Sequence, residues 1–141
     1  MTKINAFQDI GIGLVFNKTG ELLIDKRLES SSMGGMWEFP GGKKQSHESI
    51  ETTIERELKE ELGIVVKVGE KLLSFEHAYN HKKLYFTVHI CEWISGEPKP
   101  FASQQLLWVS PEKLFDFSFP DANTKIISEL HKHLCIGKQN L

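Results

Sequence analysis

Residues 41–64 read GGKKQSHESIETTIERELKEELGI, a glycine-led turn followed by a helix whose surface does not divide cleanly into wet and dry faces. Ile50, Ile54, Leu58 and Leu62 recur at every fourth position and make one apolar stripe. Gly63 follows where a left-handed residue ends a helix, and either Ser49 or Ser46 supplies the N-terminal cap. At about 100° per residue, Glu57, Glu60 and Glu61 fall within an arc of roughly 100°. Glu61 points between the directions of Ile50 and Ile54, on the apolar side. A carboxylate aimed at a core is costly unless a cation neutralises it. Three anionic heads at i, i+3 and i+4 also repel one another. A hard divalent cation with oxygen ligands removes both penalties. Glu55 and Lys59, on another face, have the i, i+4 spacing of an ordinary solvated pair. Before the helix, Gly41 and Gly42 allow backbone to approach a ligand without side-chain obstruction.

Outside this stretch the composition is that of a small globular protein. With 141 residues the chain is expected to be a single domain, residues 1–141, large enough for a core without metal or disulfide staples. Cys91 and Cys135 show no C-x-x-C or zinc spacing, which predicts reduced thiols in the core of a cytoplasmic protein. The opening MTKINAFQDI lacks the apolar run of a signal peptide, and no stretch approaches membrane-spanning length, so no membrane association is expected. A formal net charge of −2 provides no basic field for a nucleic-acid backbone. A polyphosphate ligand would have to be handled by metal and a few placed cations. No repeat, low-complexity tract or interdomain linker is present.

Taken in order, residues 10–16 read as a buried strand with glycines at 11 and 13. Asn17 to Gly20 is a turn, and residues 21–27 return as the second strand of a hairpin. Residues 30–35, SSSMGG, form a flexible loop by composition, either a lid over the neighbouring site or a plain connection. Residues 65–75 and 84–94 are strand-like, with His77, Tyr79 and His81 in a polar loop between them. His77 and His81 read as surface histidines. Residues 106–110 make a short strand, and Pro111 opens a short helix. A final helix carries Ile126, Ile127, Leu130 and Leu134 on one side. Strands around an embedded helix, with another helix at the end, predict a mixed α/β sandwich.

The order Gly42, five residues, Glu48, seven residues, Arg56-Glu57-Leu58, one residue, Glu60-Glu61, one residue, Gly63-Ile64 resembles the signature of the Nudix pyrophosphohydrolases at every fixed position. The flanks resemble the MutT-like branch, which removes oxidised guanine nucleotides from the precursor pool. They include Arg27 at the end of the hairpin, Trp37 to Lys43, the Gly96-Glu97-Pro98 turn, Trp108-Val109, and Phe119 to Asn123. The resemblance implies an α/β/α sandwich with a mixed central sheet. It also implies hydrolysis of a nucleoside triphosphate such as 8-oxo-dGTP to the monophosphate and pyrophosphate, with Mg²⁺ or Mn²⁺, by a monomer or weak dimer.

Carried over by position, Glu57, Glu60 and Glu61 would bind the metal with the Gly41 carbonyl as a further ligand. One of these glutamates would accept the proton of the attacking water. Glu48 and Arg56 would form an orienting ion pair. Lys43 would lie near the phosphates. Arg27, Phe39 and Tyr79 would contact the nucleotide, and the Asn123 amide would read the base edge. Plainer roles compete: Asn123 or Asp121 as a helix cap, Phe39 and Trp37 as core aromatics, Arg27 as a surface charge, Tyr79 as a loop aromatic. One departure stands out. MutT-like proteins usually carry an acid in the loop before the strand leading to Trp108, and here that position is Ala102. Either Glu57 or another helix glutamate does the base work alone, or Glu97 or another acid substitutes, or activity is reduced. The signature also serves hydrolases of dinucleoside polyphosphates, nucleotide sugars and RNA caps. A related module without catalysis helps adenine glycosylases recognise oxidised guanine, but it needs no metal carboxylates, and this chain keeps all of them.

Overall fold

A computed structural model describes residues 7–79 and 81–139, with the side chains of residues 79 and 136–139 outside the description. Its strands are β1 (Gln8–Phe16), β2 (Leu22–Lys26), β3 (Trp37–Glu38), β4 (Gly41–Lys43), β5 (Val65–Tyr79), β6 (Lys82–Ser95) and β7 (Gln105–Val109). Helix α1 (Ile50–Leu62) lies between β4 and β5, a 3₁₀ turn spans Pro111–Asp116, and α2 (Asp121–Gln139) closes the chain.

The sheet runs β3-β2-β1-β6-β5, with β4 also paired to β1 and β7 to β2. β1 and β6 are parallel along their whole register, from Gln8 opposite Leu84 to Phe16 opposite Glu92. The other pairings are antiparallel, so the sheet is mixed as expected.

The expected hairpin of β1 and β2 forms, but its ladder is confined to Phe16 opposite Leu22. The rest of the β1 edge is occupied by β4, which pairs Lys43, Gly42 and Gly41 with Ile10, Gly11 and Ile12. The sheet therefore places the glycines of the signature at its centre. The connection holding His77 is also shorter than expected. β5 runs on through His77 to Tyr79, because Phe75 to Tyr79 pair register by register with Phe86 to Lys82.

Alternation along the strands divides the core in two. Ile12, Leu14, Leu22 and Ile24 pack with Ile126, Ile127 and Leu130 of α2. Val15, Leu23 and Cys91 pack on the opposite face with Ile54, Leu58 and Leu62 of α1. Each fully buried Leu or Ile is worth roughly 1.5–3 kcal/mol, so the α1 stripe anchors that helix firmly. The close approach has a local cause. A Cβ on Gly13 would lie 3.1 Å from Ile54 and 3.2 Å from Leu58. The Ser49 hydroxyl accepts from the Thr52 amide at 3.1 Å, so Ser49 rather than Ser46 is the cap. Gly63 closes the helix at φ 71°.

Two sequence expectations fail at the surface. Cys91 is buried and its thiol is pushed up to about 12 by burial, but Cys135 is exposed on α2. No ion pair joins Glu55 and Lys59 among the described residues. Both side chains are exposed, where water competes effectively with a single pair.

Candidate active site

Helix α1 lies over β4, and the two are fitted at a single point. A Cβ built on Gly42 would collide with the carboxylate of Glu57, so only glycine lets this side chain lie across the strand. Gly41 is equally constrained, because its Cβ would strike the carbonyl of Gly11. The glycine pair seats the carboxylates as well as leaving room for a ligand.

Arg56 organises the group. Its Nε donates to Glu48 at 2.5 Å, Nη1 donates to Glu57 at 2.7 Å and Glu60 at 3.2 Å, and Nη2 donates to the Lys43 carbonyl at 3.0 Å. Glu48 also accepts from the Gln45 amide at 2.9 Å and the Thr53 hydroxyl at 3.0 Å. The bond from Arg56, then that from Gln45, holds the Glu48 carboxyl down at about 2. The planar fork of arginine suits this many acceptors in a way an ammonium does not. Glu48 and Arg56 are thus brought together as an ion pair that fixes the helix start against β4.

Glu61 differs from its neighbours. Burial, and then the adjacent Glu57, push its carboxyl up to about 8. This is the penalty expected for an acid on the apolar side of α1. Across from it stands a group that the sequence reading passed over. Asp25 of β2 is 4% exposed, and burial followed by Glu38 pushes its carboxyl up to about 9. Glu38 itself receives Arg27 Nη1 at 2.6 Å. The alternation of β2 carried the signal, since Asp25 shares the face of Leu23, but an acid in a short strand reads as an edge charge without its neighbours.

The donor set is of the chemical kind a hard divalent cation takes, all oxygen and anionic, with Arg56 as the cation that Glu48, Glu57 and Glu60 share. Among the described residues no group of three or more His, Cys, Asp or Glu side chains is placed to hold a metal ion by itself. Magnesium-type sites seldom need one, since water and substrate phosphates complete the shell around one or two carboxylates.

Both raised groups carry a consequence for pH. Unfolded, Glu61 and Asp25 would titrate near 4.5 and 3.8; folded, they do so near 8 and 9. The folded state therefore holds more protons between these values, and its stability falls as pH rises through them. Melting of metal-free protein between pH 5 and 9 should show a falling melting temperature, and Glu61→Gln should flatten the fall and raise stability at pH 8. A level profile in the wild type would contradict this charge burial.

Beside the acids opens a cavity of about 360 Å³. Arg27, Phe39, Gly41, Gly42, Lys43 and Asn123 all line it, so residues expected at the substrate are gathered at one place. Arg27 is not a free surface charge, since its Nε also donates to the Ser32 carbonyl at 2.7 Å. That bond ties the 30–35 loop to the cavity rim. Phe39 is 2% exposed and stacks on Phe119 with ring centroids 5.2 Å apart, so it is a core aromatic that floors the cavity. The Asn123 side chain makes no hydrogen bond among the described residues, and α2 begins at Asp121, so a capping role for Asn123 falls away. The side chain of Tyr79 lies outside the described residues. His77, which the sequence reading left on the surface, lines the cavity with Lys82 and Met33 because β5 is longer than expected. Ala102 and Glu97 are both exposed.

The chain is a mixed sandwich with a glycine strand beneath a carboxylate-bearing helix, opening on a cavity of about 360 Å³, and its family and relatives make it a hydrolase of acid anhydrides. The chain belongs to the Nudix family: the model of the NUDIX domain matches residues 11–129. Enzymes of this family generally act with a divalent metal ion on small nucleotide derivatives. An 8-oxo-dGTP diphosphatase from Haemophilus influenzae is 36% identical over 122 residues, which is 86% of this chain and 89% of that protein. A CTP pyrophosphohydrolase from Escherichia coli is 29% identical over 120 residues, 82% of this chain and 86% of that one. The crystal structure of a MutT protein from Methanosarcina mazei superimposes with a TM-score of 0.83 at 24% identity, covering 94% of this chain and 98% of the other. That likeness establishes the fold. No helix among the described residues is long and apolar enough to cross a membrane.

Proposed function

We propose that the chain, as one domain, hydrolyses oxidised purine nucleoside triphosphates, with 8-oxo-dGTP giving 8-oxo-dGMP and pyrophosphate. The observation that carries this reading is the Asn123 amide. The Asn123 side chain makes no hydrogen bond among the described residues, and it lies at the wall of a cavity that also reaches Gly41, Gly42 and Lys43. An amide offers a donor and an acceptor together, which suits a purine edge. The name of the Haemophilus influenzae relative supports the same substrate.

In this reading Glu57, Glu60 and Glu61, with the Gly41 carbonyl, would hold Mg²⁺ or Mn²⁺. When bound, such an ion neutralises phosphate oxygens and lowers the pKa of a nearby water. The water oxygen bonds to the β-phosphorus while the bond to the α–β bridging oxygen breaks, leaving nucleoside monophosphate and pyrophosphate. A helix glutamate, Glu57 or Glu61, accepts the proton. Glu48 and Arg56 act as positioning residues. Lys43 faces the phosphates, Arg27 and Phe39 border the nucleotide, and Tyr79 adds an aromatic face by family resemblance. The enzyme works on the free nucleotide pool of the cytoplasm, as a monomer or weak dimer. The net charge of −2 favours free nucleotides over nucleic acid.

The test is hydrolysis of 8-oxo-dGTP, dGTP, CTP and a dinucleoside polyphosphate with Mg²⁺ and with Mn²⁺, products being identified. Preference for 8-oxo-dGTP with release of pyrophosphate is expected. Faster cleavage of CTP or another member would replace the substrate and keep the chemistry; tight binding of 8-oxo-dGTP without turnover would indicate a recognition module. Asn123→Ala should lower kcat/KM for 8-oxo-dGTP by about 10–100-fold, the value of a bidentate base contact, while leaving the metal requirement intact. Equal losses for every nucleotide tested would remove Asn123 from base reading.

A further inference from the structure

His77 stands at the wall of the cavity with no part in the reaction described above. Strand pairing fixes its place. Lys43 of β4 lies opposite Ile10 of β1, Ile10 opposite Phe86 of β6, and Phe86 opposite Phe75 of β5. Residues directly opposite share a face, and Ile10, Phe86 and Phe75 all pack into the core on the α2 side. His77 comes two residues after Phe75 in an unbroken register, so it stands on that same face. With strands about 4.8 Å apart, β5 lies roughly 14 Å across the sheet from β4. Lys43, Ile10, Phe86 and His77 line the same cavity, which spans this width.

The two ends differ in chemistry. At β4, Glu57 crosses Gly42 and Lys43 supplies a cation, which suits phosphates. A nucleotide carries its base at the end away from its phosphates, and here that direction leads toward β5. The wall there is half-buried imidazole, set edge-on to Phe86 with ring centroids 6.4 Å apart. Other histidines that the fold covers have found carbonyl partners: His89 meets Gly69 at 2.9 Å and His131 meets Pro111 at 2.8 Å. Neither ring nitrogen of His77 makes a hydrogen bond among the described residues. A neutral imidazole offers one donor and one acceptor, and the hydrogen-bonding edges of a purine call for both.

We propose, on the substrate reading given above, that His77 is a base-contacting residue that selects purine over pyrimidine nucleotides. It hydrogen-bonds the purine edge that Asn123 leaves open. A pyrimidine lacks the second ring and stops short of β5.

Calorimetric titration with 8-oxo-dGMP and with dCMP tests this on binding alone, beside steady-state rates on 8-oxo-dGTP and dCTP. His77→Phe keeps an aromatic ring against Phe86 and removes the hydrogen bond, whereas His77→Gln keeps a donor and an acceptor. His77→Phe should weaken 8-oxo-dGMP binding and raise KM for 8-oxo-dGTP by about 3–10-fold, the value of one neutral hydrogen bond. Its kcat and its affinity for dCMP should stay close to those of the wild type, and His77→Gln should recover most of the loss. Melting curves check that each variant is folded, and His77→Ala takes the place of His77→Phe should phenylalanine impair folding. Equal losses for 8-oxo-dGMP and dCMP would make His77 a packing residue and overturn the proposal, as would unchanged affinity for both. A wild type that binds dCMP as tightly as 8-oxo-dGMP would instead overturn the substrate reading itself.

Discussion

Replacing Glu57 with glutamine is expected to reduce kcat by about 10²–10⁴-fold, the range for loss of a positioned acid–base group, while the protein stays folded. Glutamine keeps the size and one acceptor oxygen, so the bond from Arg56 Nη1, 2.7 Å in the wild type, can persist. The negative charge is lost, and with it, on the proposed mechanism, a ligand for the metal and an acceptor for the proton. Arg56 keeps Glu48 and Glu60 as partners, and loss of the Glu57 charge relieves its repulsion of Glu61, so the fold is expected to survive. Steady-state rates beside a melting curve separate the two effects. Glu61→Gln should show the same loss of rate with a gain in metal-free stability, because it removes an acid pushed up to about 8. A Glu61→Gln enzyme turning over at nearly the wild-type rate would sink the assignment of the helix carboxylates.

Gly42→Ala should be the most damaging change of a single methyl group. The added Cβ falls on the Glu57 carboxylate, so either α1 lifts from β4 or Glu57 leaves its place. The helix is pinned by Ile54, Leu58 and Leu62, all essentially inaccessible to solvent, so the side chain is the part that yields. Displacement of a reacting group by about 1 Å costs on the order of 10²-fold in rate. We expect a loss of that order in kcat, a smaller effect on KM and a folded protein. The contrast with Gly20 sharpens the test: a Cβ there meets no atom within 4 Å, so alanine at position 20 carries only the strain of a φ of +81°. Wild-type kcat in Gly42→Ala would show that Glu57 need not lie across the strand.

Much of this site could be read from residue order. The apolar stripe of α1, its end at Gly63 and the off-pattern Glu61 follow from helical geometry, which has a fixed period and needs no tertiary information. The match of Gly42 to Ile64 with a known signature placed the acids and Arg56 together, and the folded chain joins Arg56 to Glu48, Glu57 and Glu60. Candidate substrate residues Arg27, Phe39, Lys43 and Asn123 lie far apart along the chain, yet one cavity gathers them.

By itself, then, the sequence determined the helix, its row of signature acids and the succession of strands and helices, because each is written in local spacing. Only the tertiary structure decided which strand runs beneath the helix, that His77 reaches the cavity, and that Asp25 is buried beside Glu38 and within the influence of Glu61. Those facts depend on pairings between distant segments: Gly41 to Lys43 on β1, β5 on β6, and β2 between β3 and β7. A strand's period of two says that a residue faces one side or the other. Which side holds the helix, and what charge waits there, is set by long-range packing that no local pattern records.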